Sequence, residues 1–281
     1  MYYYLLYRIG QFLALILPLK VAYKIAVILS DLHYLFADKD RKAVKENLMA
    51  IFPEKSEKEI KRIRIRMFRN FAKYLVDFFR FSKLDINYIK KNIKLENIHY
   101  IDEALKKKKG VIALTAHIGN WELGGVIIAL LGYPIWAVAL PHKHKNVDRF
   151  FNYQREKKGI RVIPLGKAVR QCLKLLKENK IIALVGDRVF TERGVVLDFF
   201  GKPTIFPEGP VIFALKTGAV IVPGFMIRNA DDTFTLRIEK PIELGLNNTS
   251  QEVIQNYKLI FEDYIRRYPE QWYMFVRFWK S

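Results

Sequence analysis

From residue 110 onward, short β-branched apolar runs alternate with stretches of helical periodicity, and this alternation constrains the fold more than any other feature of the chain. The runs cover residues 111–115, 135–140, 161–164, 181–186, 196–199, 219–227 and 233–238. Most are too short for helices and predominantly apolar, which is the pattern of strands in a largely buried sheet. Between and after them, residues 123–131, 167–177 and 249–267 carry helical spacing, the last opening on the capping pair Thr249 and Glu252. Such alternation predicts an α/β fold, a mixed sheet flanked by helices. The residues before it read as mostly helical, which divides the chain into an N-terminal helical part, 1–100, and an α/β core, 101–281. At 281 residues and 51% hydrophobic content, the chain can bury a substantial core.

The strand at 111–115 runs into Ala116-His117-Ile118-Gly119-Asn120-Trp121-Glu122, just before a helical stretch. His117 and Glu122 therefore lie at a strand-to-helix turn, where Gly119 permits a tight backbone and the helix start leaves N–H groups for an anion. A neutral imidazole can take a proton from a hydroxyl near neutral pH if its other nitrogen is held, and Glu122 is the expected holder. With no Ser or Cys in the turn, the nucleophile would be the substrate's own hydroxyl. Backbone N–H groups near Gly119 and Asn120 are the candidates for stabilising an oxyanion. A structural histidine ending a strand is the competing explanation on spacing alone.

Charge narrows the partners. Lys and Arg number 48 against 28 Asp and Glu, a net +20, so a phosphate- or carboxylate-bearing partner is expected: a nucleic acid, an anionic membrane or an acidic carrier protein. Residues 56–81 form an amphipathic helix opened by a capping box, Ser56 with Glu59, and carry Lys58, Lys61, Arg62, Arg66, Arg69 and Lys73 around their apolar stripe. Residues 2–19 approach the length of a bilayer span, ~20 residues, but are interrupted by Arg8, Gln11 and Pro18. They read as an interfacial or shallowly inserted anchor, with Lys20 and Lys24 positioned to reach lipid phosphates. A hydrophobic cap over the core would carry the same pattern.

The sequence around His117 resembles the first block of the lipid A biosynthesis acyltransferases, within the glycerolipid acyltransferases marked by His, four residues, then Asp or Glu; the matching residues are 110–131. Lys45 to Leu48 with Phe52-Pro53, Arg155 followed by Gly159, and Phe199 to Pro203 resemble further blocks in the expected order. So do Thr217-Gly218-Ala219 with Pro223, Pro269 to Trp272, and Arg277 to Trp279. One departure is Gly186-Asp187-Arg188, where the family usually has Asp-Gln. The letters Phe206-Pro207-Glu208-Gly209 imitate a signature of the wider glycerolipid acyltransferases but stand in the wrong place, and Pro207 is read as opening a helix.

The resemblance implies an acyltransferase α/β core behind a membrane-associating N-terminal part, at the cytoplasmic face of a bacterial inner membrane. The implied reaction moves an acyl chain from an acyl-carrier protein or coenzyme A thioester to a hydroxyl of a lipid or glycolipid. A lipid A precursor comes first as acceptor and a phosphatidylinositol mannoside second. His117 and Glu122 are then the catalytic candidates, with Arg155, Asn120, Asp187 and Arg188 as substrate-binding candidates. No metal and no cofactor beyond the thioester is expected. Two other classes stay open, a non-catalytic protein that binds anionic membranes and, less favoured for want of a recognisable motif, a nucleic-acid binder.

The remaining candidates have plainer readings. Cys172, the one cysteine, falls on an apolar helix position and reads as packing. His142 and His144 lie in a basic loop without carboxylates nearby, a setting for a phosphate rather than a metal. Asn247 and Asn248 mark a polar turn.

Overall fold

A computed structural model describes residues 2–189, 194–245 and 248–279. The N-terminal part contains α1 (Tyr2–Ile16), α2 (Leu19–Phe36), α3 (Asp38–Ile51), α4 (Glu57–Phe79) and α5 (Ile86–Asn92), followed by β1 (Ile93–Glu96) and α6 (His99–Lys106). Then come β2 (Val111–Thr115), α7 (Trp121–Leu130), β3 (Ile135–Ala139), α8 (Lys145–Glu156), β4 (Arg161–Pro164), α9 (Ala168–Lys177) and β5 (Ile181–Val185). The chain continues through β6 (Val195–Phe199), β7 (Lys202–Phe206), α10 (Gly209–Thr217), β8 (Val220–Arg228), β9 (Phe234–Ile238) and α11 (Ser250–Arg267).

The expected strands form with ends within one residue of their predicted bounds. Seven strands make one sheet in the order β1-β9-β8-β2-β5-β3-β4. The run from β8 to β4 is parallel, and β9 turns back antiparallel on β8 with β1 parallel to it. Alternate residues of β2 feed two cores. Ile112 and Leu114 meet Cys172, Val211 and Phe261 from α9, α10 and α11. Val111 on the other face meets Ile101, Val126 and Phe150 from α6, α7 and α8.

Three sequence expectations need correction. The run at 196–199 belongs not to the main sheet but to a β6–β7 hairpin of its own. Its partner β7 and the edge strand β1 were missed because Lys, Glu, Thr and Pro interrupt their apolar character. Pro207 does not open a helix: α10 starts at Gly209, with Pro210 in its first turn. Cys172 is fully buried, and burial pushes its thiol up to about 12, which fits packing. Asn248 accepts the Gly245 N–H at 2.5 Å before α11, whereas Asn247 lies outside the described residues.

Asn47 on α3 ties the N-terminal part to the chain's end. Its amide donates to the carbonyls of Met274 at 3.2 Å and Val276 at 2.8 Å, and its oxygen accepts the Phe278 N–H at 2.9 Å. Asn47→Ala strands three backbone groups at once, one buried and two partly buried. We expect a loss of about 1–3 kcal/mol in urea unfolding, and an unchanged midpoint would show that the tie contributes nothing.

Among the described residues no helix is long and apolar enough to cross a membrane. Pro18 separates α1 from α2, since it cannot continue the hydrogen-bond ladder. Both helices nonetheless turn large apolar residues outward. Leu5, Ile9, Phe12 and Ile16 on α1 and Ile28, Leu29, Leu32 and Phe36 on α2 are all exposed, while Ala14, Ala22 and Tyr23 face inward.

Candidate active site

The site is built where two neighbouring strands end. β2 and β5 are parallel and adjacent, with Thr115 opposite Val185, so His117 and Asp187 stand level past the carboxyl edge of the sheet although 70 positions apart. In open α/β sheets that edge is where ligands bind. His117 Nδ1 lies 2.7 Å from Asp187 Oδ1, and the His117 backbone N–H donates to Oδ2 at 3.0 Å. The Trp272 indole N–H donates to the same Oδ2 at 3.2 Å. Burial works to raise the pKa of Asp187, but the charge of His117 and these hydrogen bonds outweigh it and hold the carboxyl below its usual range. An ionised Asp187 requires the proton on Nδ1, so in the neutral ring Nε2 is the acceptor.

This changes the expected pairing. Glu122 does not hold the imidazole. It sits in the first turn of α7, and Arg155 from the end of α8 engages it with two parallel bonds, Nε to Oε2 at 2.8 Å and Nη2 to Oε1 at 2.6 Å. Nη1 of Arg155 donates to Asn152 at 2.9 Å. Arg155→Ala leaves Glu122 a partly buried, unpaired carboxylate, so we expect a loss of about 3 kcal/mol, the low end for breaking a buried pair because both side chains keep about a tenth of their surface. Arg155→Lys should recover only part of it, since a point cation cannot bond bidentately. Chemical denaturation of the two variants separates these outcomes.

Asn120 also turns inward. It is 2% exposed, its oxygen caps α7 by accepting the Leu123 N–H at 3.0 Å, and its amide donates to Asp77 at 3.0 Å. It shapes the turn and does not face a ligand. The oxyanion candidates fall for a similar reason: the Gly119 N–H donates to Gln271 O at 2.8 Å and the Asn120 N–H to Met226 O at 2.7 Å. Gly119 is required there because its φ is +62° and a Cβ would lie 2.0 Å from the Met226 carbonyl oxygen. Arg188 follows Asp187 directly and is half-buried.

Several residues that sequence reasoning did not single out hold this turn. Asp77 on α4 accepts from Asn120, from Tyr23 on α2 and from Arg228 at the end of β8. Gln271 and Trp272 support Gly119 and Asp187, and the Tyr273 N–H donates to the His117 carbonyl at 2.9 Å. Only Gln271 and Trp272 had a signal, as part of the Pro269 to Trp272 segment. The Trp121 ring packs 5.0 Å from the His117 ring. The His142 ring lies tilted against Phe151 at 4.4 Å, and burial, with the charge of Arg155, lowers its pKa. No group of three His, Cys, Asp or Glu side chains forms a metal cluster among the described residues.

A histidine–carboxylate pair thus stands past the carboxyl ends of two parallel strands of an α/β fold, with a second ion pair, Glu122 and Arg155, at the start of α7. The family model for bacterial lipid A biosynthesis acyltransferases matches residues 1–281. The chain belongs to that family and is an acyltransferase. It is similar to a phosphatidylinositol mannoside acyltransferase of Mycolicibacterium smegmatis, 28% identical over 75% of this chain and 70% of that protein. A Mycobacterium tuberculosis protein of the same name is 29% identical over 55% of this chain and about half, 51%, of its own length. A lipid A biosynthesis acyltransferase of Haemophilus influenzae is 22% identical over 84% of this chain and 74% of that protein.

Proposed function

We propose that this protein moves a fatty acyl chain from an acyl thioester to a hydroxyl of an anionic glycolipid, working at a membrane surface with His117 as general base. The observation that carries the reading is the His117–Asp187 contact at 2.7 Å, with Nε2 left to face a substrate. His117 Nε2 accepts the proton of the acceptor hydroxyl as its oxygen attacks the thioester carbonyl. Asp187 holds the imidazolium that results. The tetrahedral intermediate collapses by breaking the carbon–sulfur bond, and the departing thiolate takes the proton back from Nε2. Because the Gly119 and Asn120 N–H groups are occupied, the oxyanion falls to the first-turn N–H groups of α7 at Trp121 and Glu122. Glu122 fixes the Arg155 guanidinium, which with Arg188 is the candidate for a substrate phosphate. The donor is an acyl-carrier protein or coenzyme A thioester, and either suits a +20 chain.

The acceptor we put first is a lipid A precursor, because the family model spans the whole chain. A phosphatidylinositol mannoside is the second reading, favoured by the higher identity to the mycobacterial relatives. Purified protein incubated with each acceptor and an acyl-carrier or coenzyme A thioester, and read by mass spectrometry beside His117→Ala, tests the proposal. One added acyl chain that the variant fails to add supports it. Loss of thioester with no acylated lipid in any pairing counts against acyl transfer to a glycolipid.

The outward apolar faces of α1 and α2 support interfacial binding to a lipid surface, which we place at the cytoplasmic face of an inner membrane. Replacing Leu5 and Phe12, 56% and 62% exposed, by Glu removes two insertion points at roughly 1.5 kcal/mol or more each. Cosedimentation with anionic vesicles should therefore fall by more than about tenfold. Binding that is unchanged in the double variant would remove the anchor role from α1.

A further inference from the structure

Behind the exposed faces of α1 and α2 lies a cavity of about 540 Å³, within the range of ~300–1,000 Å³ usual for ligand pockets. Its walls come mainly from α1, α2 and α4, with Asp40 of α3 and Phe275, and small residues make the room, among them Gly10, Ala14, Ala26 and Ala72. The lining is almost wholly apolar. Leu13 and Leu29, which line it, are also among the exposed residues, so the space opens onto the outward apolar surface. The polar lining residues are Ser30, His33 and Asp40, all around the junction of α2 and α3. Arginines and aspartates meet around that junction: Arg69 pairs with Asp31 at 2.8 Å, Arg41 with Asp38 at 3.2 Å, and Arg64 donates to Tyr34 at 2.8 Å and to the Arg41 carbonyl at 3.1 Å. An apolar slot open to the surface, with a polar end of Ser30, His33 and Asp40, has the form of an amphiphile, and the net charge of +20 on the chain favours one with an anionic head.

We propose that this cavity binds one aliphatic chain of an anionic membrane lipid, entering sideways from the bilayer between α1 and α2. The proposal rests on the interfacial reading above. The bilayer is favoured over the thioester donor as source because a buried aromatic layer separates the cavity from the catalytic turn. Phe71 on the cavity wall packs 5.5 Å from Tyr74 and 5.4 Å from Tyr273, and only beyond them do Trp121 and then His117 follow. Tyr74 and Tyr273 are 5% and 7% exposed. A chain in the cavity would press on Phe275, two residues from the Tyr273 N–H that holds the His117 carbonyl.

The test uses the full chain on phosphatidylcholine vesicles containing phosphatidylglycerol with a diazirine near the end of one acyl chain, and, in a parallel arm, a diazirine-bearing acyl-coenzyme A. Labelled peptides are mapped after photolysis, and vesicle binding is measured separately by cosedimentation. The expected result is lipid label on Phe71, Leu75 or Phe275. In Ala26→Phe that label should fall by about tenfold, the loss from keeping roughly two methylenes out of the cavity, while vesicle binding persists. Ala72→Met closes the same space from α4 should the first variant fold poorly. An unlabelled lipid A precursor that competes the label away would identify the acceptor's chain as the occupant; no competition would identify bulk phospholipid. Lipid label confined to outward residues such as Leu5 and Ile28, or a cavity labelled only by the thioester, overturns the proposal and leaves membrane binding intact. Failure to sediment with vesicles overturns the interfacial reading itself.

Discussion

His117→Ala is expected to lower acyl transfer by about 10²–10⁴ in turnover while the fold survives, since that is the usual contribution of a positioned general base. The fold should survive because the imidazole is partly exposed, at 18%, and the backbone contacts of the turn do not need it. Those contacts, from the His117 N–H to Asp187 and from Tyr273 to the His117 carbonyl, are made by the main chain of residue 117. Removing the ring does leave Asp187 buried with one donor fewer, so some loss of stability accompanies the loss of rate. Turnover measured at saturating substrates separates the two, because a folded variant with near-normal kcat would eliminate His117 as the base.

Asp187→Asn should lose as much or more, about 10⁴, the size of the same carboxylate-to-amide change in a Ser-His-Asp triad. The geometry gives the reason. Oδ2 of Asp187 accepts two donors, the His117 N–H and the Trp272 indole, so the single oxygen of an asparagine must turn to that side. Its NH₂ group then faces His117 Nδ1, which has to become an acceptor, and the ring proton moves to Nε2, where a base needs a lone pair. Glu122→Gln makes no such demand on the ring and should cost turnover less. If Glu122→Gln proved the more damaging of the two, the pairing of His117 with Asp187 would not be the catalytic one.

The same carboxylate carries a pH signature. Its pKa is lower in the folded protein than the ~3.9 of an unfolded aspartate, so its ionisation adds stability that is complete above about pH 4. That contribution is lost as pH falls through the folded value. An amide at this position cannot titrate, so acid should destabilise Asp187→Asn less steeply than the parent below pH ~4.

How much of this was legible in the chain differs from element to element. The core strands could be read to within a residue because a strand covered on both faces must be mostly apolar, and β2, β5 and β8 are, apart from Thr115 and Arg228 at their ends. The capping boxes at Ser56 and Thr249 were equally plain, since both partners of each lie within one turn. β1 and β7 escaped because edge and hairpin strands tolerate the Lys, Glu and Pro that central ones exclude.

The sequence by itself determined the alternating α/β order, the strand-to-helix turn that carries His117, and membership of an acyltransferase family, all of which rest on local pattern or on motifs in order along the chain. Tertiary structure alone decided which carboxylate meets which partner. Glu122 is near His117 in sequence, but the start of α7 turns it toward Arg155, whereas Asp187 arrives from 70 positions away because parallel pairing of β2 and β5 sets the two strand ends level. Likewise, periodicity in α1 and α2 could announce apolar faces but not their direction. Only the packing of Ala14, Ala22 and Tyr23 inward leaves Phe12, Leu29 and Phe36 outward, because a helix with apolar residues on more than one side has no preferred side until its neighbours supply one.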